Sequence, residues 1–213
     1  MLSKPLAVLM FLTGLIASAR LGAGEYNKVL SIGDAAPAWT DLPGTDGNRH
    51  SLADLADMPV VVVVFTCASC PTAADYEERI NALTAKYGGE KGRAAVVAIC
   101  VNRVEEDRLP ALKARAEEKS LQFTYLYDES QKIAKDYGAL FTPEFFVLNQ
   151  DRTIVYMGAM DDATNPQQVT KRYVEDAIEA ALTGGLPEEQ EVIARGCLIR
   201  YARERRKRSA NDQ

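Results

Sequence analysis

From Pro59 the chain runs PVVVVVF, an unbroken apolar stretch with no polar alternation. A β-branched run of this kind predicts a strand buried on both faces, and so a central strand of a covered sheet. AAVVAICV, Ala94 to Val101, predicts a second such strand. Between them, Ala73 to Tyr87 carries Tyr76, Ile80, Leu83 and Tyr87 at spacings of four, three and four. That is the apolar stripe of an amphipathic helix, and Gly88-Gly89 closes it. Further along, the pattern predicts a helix over Leu109 to Leu121, a short strand over Thr124 to Tyr127 and a short helix over Ser130 to Tyr137. Glu144 to Leu148 and Thr153 to Met157 predict two strands of a hairpin turning at Asn149 to Arg152, before a long helix from Pro166 to Leu182. Ahead of all this, Glu25 to Met58 is rich in Gly, Pro, Asp and Asn. It predicts an extended lead-in with a turn at Asp46-Gly47 and a helical turn, Leu52 to Leu55, capped by Ser51. Strand and helix alternate and a hairpin follows, which predicts an α/β domain with a central mixed sheet flanked by helices.

Composition agrees with one ordinary domain: 213 residues, 47% hydrophobic and 26% charged. The net charge of −5 is unevenly spread. From Arg195 onward seven basic residues face two acidic ones, so the tail is +5 and residues 1–194 carry −10. An acidic body does not suit phosphate neutralisation, which excludes nucleic acid as a partner. The basic end is expected to be solvated and flexible. At the other end, Leu6 to Ala19 is almost wholly apolar and closes on Ala17-Ser18-Ala19. The run is short for a membrane span but has the length and small-residue ending of a signal peptide. The expected organisation is a signal peptide over 1–19, a linker over 20–27, a domain over 28–185 and a C-terminal extension over 186–213. Export, to a periplasm or beyond the cell, with no membrane span after cleavage, would put the four cysteines where disulfides form and persist.

Two of those cysteines form the motif FTCASCP, Cys67 and Cys70, between the valine strand and the first helix. Active sites of open α/β sheets gather at the carboxyl ends of the strands. Residues three apart in a first helical turn can close a Cys67–Cys70 disulfide. The helix N-terminus would stabilise a thiolate, so Cys67 is expected to be the low-pKa nucleophile and Cys70 the resolving thiol. Pro71 is tolerated in a first turn. The competing readings are an inert structural disulfide and half of a metal site. So short a loop gains little from a structural bridge. A zinc site needs two more ligands, and the chain holds one histidine, His50, in the early loop. That scarcity also argues against Ser-His-Asp and Cys-His hydrolases.

With these residues in hand, the chain resembles the thioredoxin-like superfamily in its exported redoxin branch, the alkyl hydroperoxide reductase/thiol-specific antioxidant type. IGDAAPAW and DGNRHSLADL are similar to the family's lead-in, VVVVFTCASCP to its active-site strand and motif, and YDESQKIAKDYGALFTPEFFVLNQDRTIVYMGAMDD to its second half. Thr66 stands where thioredoxins proper have Trp. The resemblance implies a thioredoxin-like fold with a redoxin-type lead-in. It also implies a cis Pro143 facing the dithiol, and Thr142 offering backbone hydrogen bonds to a bound substrate chain. One departure counts against dedicated peroxide reduction: no Pro-x-x-x-Thr-x-x-Cys surrounds Cys67. A second is the lack of a carboxylate on the preceding strand, for which Asp75 and Glu144 are weak substitutes, expected at the surface.

Cys100, ending a valine-rich strand, is expected to be a buried inert thiol. Cys197 lies in RGCLIR, similar to a Gly-Cys-x-Ile-basic ending in a bacterial subgroup of such proteins. It is expected to fold back as a third redox partner or to pair with Cys100. Together these readings predict an exported thiol–disulfide oxidoreductase without bound cofactor. It would exchange thiols with protein substrates and with a further redox protein. A thiol peroxidase and a copper- or zinc-binding assembly protein are the alternatives.

Overall fold

The computed structural model describes residues 24–88 and 92–203. The expected signal peptide, the start of the linker and the tail from Glu204 lie outside the described residues. In chain order the elements are β1 (Leu42–Pro43), β2 (Arg49–His50), β3 (Val60–Phe65), α1 (Pro71–Tyr87), β4 (Ala94–Cys100) and α2 (Leu109–Glu118). There follow β5 (Thr124–Tyr127), α3 (Lys132–Asp136), β6 (Phe141–Thr142), β7 (Glu144–Leu148), β8 (Ile154–Gly158), α4 (Tyr173–Leu182), β9 (Glu191–Val192) and β10 (Cys197–Leu198). Among the described residues no helix is long and apolar enough to cross a membrane.

Six strands form one mixed sheet in the order β5-β4-β3-β7-β8-β9. β3 pairs parallel with β4 on one side and antiparallel with β7 on the other, so it is the central strand the valine run predicts. All six of its side chains are buried. Val60, Val62 and Val64 face one layer, with Ile80 and Leu83 of α1, Leu112 of α2 and Ala177 and Ile178 of α4. Val61, Val63 and Phe65 face the other, with Trp39, Leu52, Ile133 and Tyr137. Period-two alternation sends every second valine to the opposite layer, which is why an unbroken apolar run was needed. In the second layer Phe65, Tyr137 and Phe146 meet edge to face, with ring centroids 5.0–5.8 Å apart.

Two expectations change. The long helix from Pro166 is a short 3-10 turn, Pro166–Gln168, and then a separate α4. The carboxylate of Asp162 accepts the N–H groups of Thr170 (2.8 Å) and Lys171 (3.1 Å), which takes those donors out of any helical ladder. The C-terminal extension is also not a free tail as far as Arg203. β9 adds a sixth strand parallel to β8, and β10 pairs with β6. Gly158 makes the first of these contacts possible: its φ is +133°, and a Cβ there would lie 1.7 Å from the Val192 carbonyl.

Replacing Phe146 by Ala should cost about 3–5 kcal/mol, because the cavity opens inside an aromatic cluster that cannot collapse onto it. The measurement is the shift in denaturant midpoint at constant slope, and a loss below about 1 kcal/mol would contradict the role given to this cluster.

Candidate active site

β3 delivers the chain to the edge of the sheet, where Thr66 still donates to the Ile99 carbonyl (3.2 Å) before Cys67 turns away. Cys70 is the N-cap of α1, and Pro71 is the first helical residue. The Cys70 Sγ accepts the Ala73 N–H at 3.4 Å, a sulfur version of the usual oxygen cap. All four cysteines are free thiols, and the expected Cys67–Cys70 bond is open.

The Thr142–Pro143 peptide is cis, as the resemblance implies, and it faces the dithiol. Thr142 touches both sulfurs. Its Oγ1 lies 3.4 Å from the Cys67 Sγ, and as a thiol Cys70 donates to its carbonyl at 3.2 Å. Cys67 is also 3.8 Å from the Ser69 hydroxyl. Cys67 and Cys70 are 2% and 1% exposed, so neither sulfur can meet a protein disulfide in this arrangement.

The expected order of acidities is reversed. Burial pushes the Cys67 thiol up; contacts with Thr142 and Ser69 oppose this, and the charge of Asp107 adds to it. Burial also acts on Cys70, but hydrogen bonds from the Cys197 thiol, the Ala73 N–H and Thr142 outweigh it, and its pKa falls. The largest lowering comes from Cys197, and a local contribution adds to it: the helix begins at Pro71, so the Ala73 N–H reaches the N-cap sulfur and not a residue three positions earlier.

Asp107 is the functional residue that the sequence does not reveal. It is fully buried in the loop between β4 and α2. Its carboxylate accepts the Ser69 N–H (2.8 Å), the Ser69 hydroxyl (2.6 Å) and the Asn102 amide (2.9 Å). It therefore clamps the loop between the two cysteines. In the sequence it is one acid in VEEDRLP, with no spacing signal to separate it from a solvated face.

The other candidates divide. Glu144, expected at the surface, is buried. It accepts the N–H groups of Leu140 (2.7 Å) and Phe141 (2.8 Å), which shapes the backbone leading into Thr142, and burial raises its pKa. Asp75 is exposed and lines a cleft with Glu78, Asn81 and Arg115, outside the dithiol contacts. Cys100 is buried, donates to the Asp107 carbonyl (3.4 Å) and is raised well above the ordinary thiol range by burial and then by the Asp107 charge. Cys197 lies on β10 directly opposite Thr142, on the Cys70 side of the site, where it lowers the Cys70 pKa. His50 pairs with Asp46 at 3.0 Å, and no cluster of metal-ligating side chains occurs among the described residues.

The AhpC/TSA family profile matches residues 32–157, more than half of the chain. The chain belongs to the AhpC/TSA family. A solved structure from Sinorhizobium meliloti 1021, described as a hypothetical protein, is 32% identical. The match covers 83% of this chain and 97% of that one, with a TM-score of 0.75. A Chlorobium tepidum structure carrying a provisional thiol:disulfide interchange name shares the thioredoxin-like fold. It is 24% identical, its TM-score is 0.59, and the match covers 72% of this chain and 99% of that one. A curated relative from Mycobacterium tuberculosis, provisionally named a peroxiredoxin, is 29% identical over 114 residues, or 52% of this chain. The matched region spans 65% of that relative's length.

Asp107→Asn removes the charge while keeping the side-chain shape, so the Cys67 pKa should fall toward the ordinary thiol value. The pH profile of Cys67 alkylation reads this directly, and an unmoved profile would refute the electrostatic role. Asp107→Ala should in addition cost about 1–3 kcal/mol of stability, since the Ser69 N–H loses its acceptor.

Proposed function

We propose that the chain is a thiol–disulfide oxidoreductase acting outside the cytoplasm, with Cys67 and Cys70 as its redox group. The observation that carries this reading is the convergence of both sulfurs on Thr142 at the N-terminus of α1. Family membership supports a redox role. The apolar run Leu6 to Ala19 supports export.

In the reducing direction, a thiolate of the pair attacks a substrate disulfide and forms a mixed disulfide. The second cysteine then attacks that bond, the substrate leaves as a dithiol, and Cys67–Cys70 closes. The oxidising direction is the reverse, and both conserve electrons within the two sulfur pairs. Cys67 is assigned to the substrate side because it lies outside the helix, beside the half-exposed Ala68 and Ser69. Cys70 closes the cycle from its place in the first turn. The edge of Thr142 is the docking strand for the substrate chain. The dithiol needs no bound cofactor, and a further redox protein exchanges electrons with it.

A second reading, a thiol peroxidase, is favoured by the peroxiredoxin name of the M. tuberculosis relative. The missing Thr-x-x-Cys pattern around Cys67 weighs against it.

Insulin-disulfide reduction with a dithiol donor should drop about 100-fold or more in Cys67→Ser and in Cys70→Ser. Hydrogen peroxide consumption under the same donor should be the slower activity. Undiminished insulin reduction in both variants would sink the oxidoreductase assignment, and Cys67-dependent peroxide turnover without insulin reduction would replace it by the peroxidase. Cell fractionation with intact-mass analysis should find the chain outside the cytoplasm and beginning after Ala19; a full-length cytoplasmic chain would refute export.

A further inference from the structure

The edge of Thr142, where a substrate chain would pair, is already occupied by this protein's own C-terminal arm. β10 pairs antiparallel with β6, with Cys197 opposite Thr142 and Leu198 opposite Phe141. The Ile199 N–H donates to the Leu140 carbonyl (2.8 Å). Gly196 permits the close approach: a Cβ there would lie 2.0 Å from the Thr142 carbonyl oxygen. Beyond the strand the arm is fastened on the far side of the dithiol. Arg200 donates its N–H to Asn102 (3.0 Å), whose amide holds Asp107. The Gln131 amide binds the Arg200 carbonyl (3.0 Å) and the Ala202 N–H (2.8 Å), and the Tyr201 hydroxyl donates to the Ala139 carbonyl (2.7 Å).

This arm carries a sulfur to the place where a substrate sulfur would arrive. Opposed residues of an antiparallel pair have Cα atoms about 4.5–5.5 Å apart. Cys197 opposes Thr142, and the Cys70 sulfur sits on the Thr142 carbonyl at 3.2 Å. The Thr142 hydroxyl in turn donates to the Cys197 carbonyl at 3.4 Å, and Cys70 is the neighbour that most raises the Cys197 thiol. Three cysteines therefore meet at one threonine, two through their sulfurs and Cys197 through its backbone.

We propose that residues 191–203 act as an internal substrate strand, and that Cys197 is a third exchanging thiol that forms a disulfide with Cys70. The proposal rests on the oxidoreductase reading above. The step starts from the closed Cys67–Cys70 disulfide. Cys197 gives up its proton and attacks the Cys70 sulfur; the Cys70–Cys197 bond forms as the Cys67–Cys70 bond breaks. Cys67 leaves as a thiolate and takes up a proton. One disulfide replaces another, with no oxidant or reductant consumed. The consequence is a covalent clasp across the docking edge, so a protein substrate and the arm compete for Thr142.

The electrostatics agree with this order. In the reduced form, the hydrogen bond to Cys70, burial, and the neighbouring Cys70 and Cys67 charges push the Cys197 thiol up to about 11. Once Cys67 and Cys70 are joined in a disulfide, neither can carry a charge or the thiol hydrogen bond that raises Cys197, while Arg200 continues to favour the Cys197 thiolate. Closing the first disulfide thereby prepares the thiol that attacks it.

The test uses the full chain, oxidised with diamide, acid-quenched, alkylated and cut with trypsin. Cleavage places Cys67 and Cys70 on one peptide, His50 to Arg79, and Cys197 on another, Gly196 to Arg200. The expected result is a cross-linked pair of these peptides beside the internal Cys67–Cys70 form, and the cross-link alone in Cys67→Ser. Gly196→Val, which cannot seat the arm against Thr142, should abolish the cross-link. It should also raise the alkylation rate of Cys67 about tenfold by opening access, with circular dichroism confirming the fold. Cys197 alkylated in every oxidised sample, together with unchanged Cys67 reactivity in folded Gly196→Val and in Cys197→Ser, would overturn the proposal. Insulin reduction with Cys197 always free would leave the oxidoreductase reading standing and remove the clasp. A cross-link without insulin reduction would do the opposite.

Discussion

Everything in this structure depends on burying β3 from both sides. A strand that presents valine to two layers at once has no solvent face, so it must lie between its neighbours β4 and β7 under helices on one side and the lead-in with α3 on the other. The chain can leave such a strand only at the sheet edge. Cys67 lies at that exit, and α1 starts three residues later because Pro71 has no N–H to lose and Cys70 can cap the first turn. The position of the cysteine pair follows from hydrophobic packing before any chemistry is considered.

The price of that position is burial, which disfavours thiolates. The two sulfurs answer it differently. Cys70 gains partners from Cys197, from the Ala73 N–H at the start of the helix and from Thr142. Cys67 has hydroxyl contacts alone and faces the buried charge of Asp107, so its proton is held more tightly. Asp107 in turn is needed for geometry, since it holds the Ser69 backbone and hydroxyl. One carboxylate thus shapes the loop between the cysteines and sets the electrostatic difference between them. Glu144 serves the opposite wall, fixing the backbone that presents Thr142.

The arm links this electrostatic picture to access. It contributes the Cys197 hydrogen bond that lowers Cys70, and it covers the edge through which Cys67 would meet a substrate. Its lifting would remove a stabilising partner from one sulfur and relieve burial at the other.

The strands and helices were readable in the sequence wherever a side-chain pattern had one meaning. Five valines without alternation allow one placement, and both Thr124–Tyr127 and Glu144–Leu148 occur at the predicted limits. The placement of Cys67 and Cys70 between strand and helix was readable because spacing and flanking pattern are local features, and the cis Thr142–Pro143 came through resemblance alone. What stayed hidden depends on residues distant in the chain. Asp107 looks like any loop acid until Ser69 is brought to it from 38 positions away. The pKa order of the two cysteines depended on which residue caps α1 and on a thiol from Cys197. The basic C-terminal stretch reads as a solvated tail because its charge is visible, while its backbone partners on β6, Asn102 and Gln131 are not. Local chemistry and burial pattern were determined by the sequence itself; contact between groups far apart along the chain was decided by the tertiary structure, because no spacing rule encodes it.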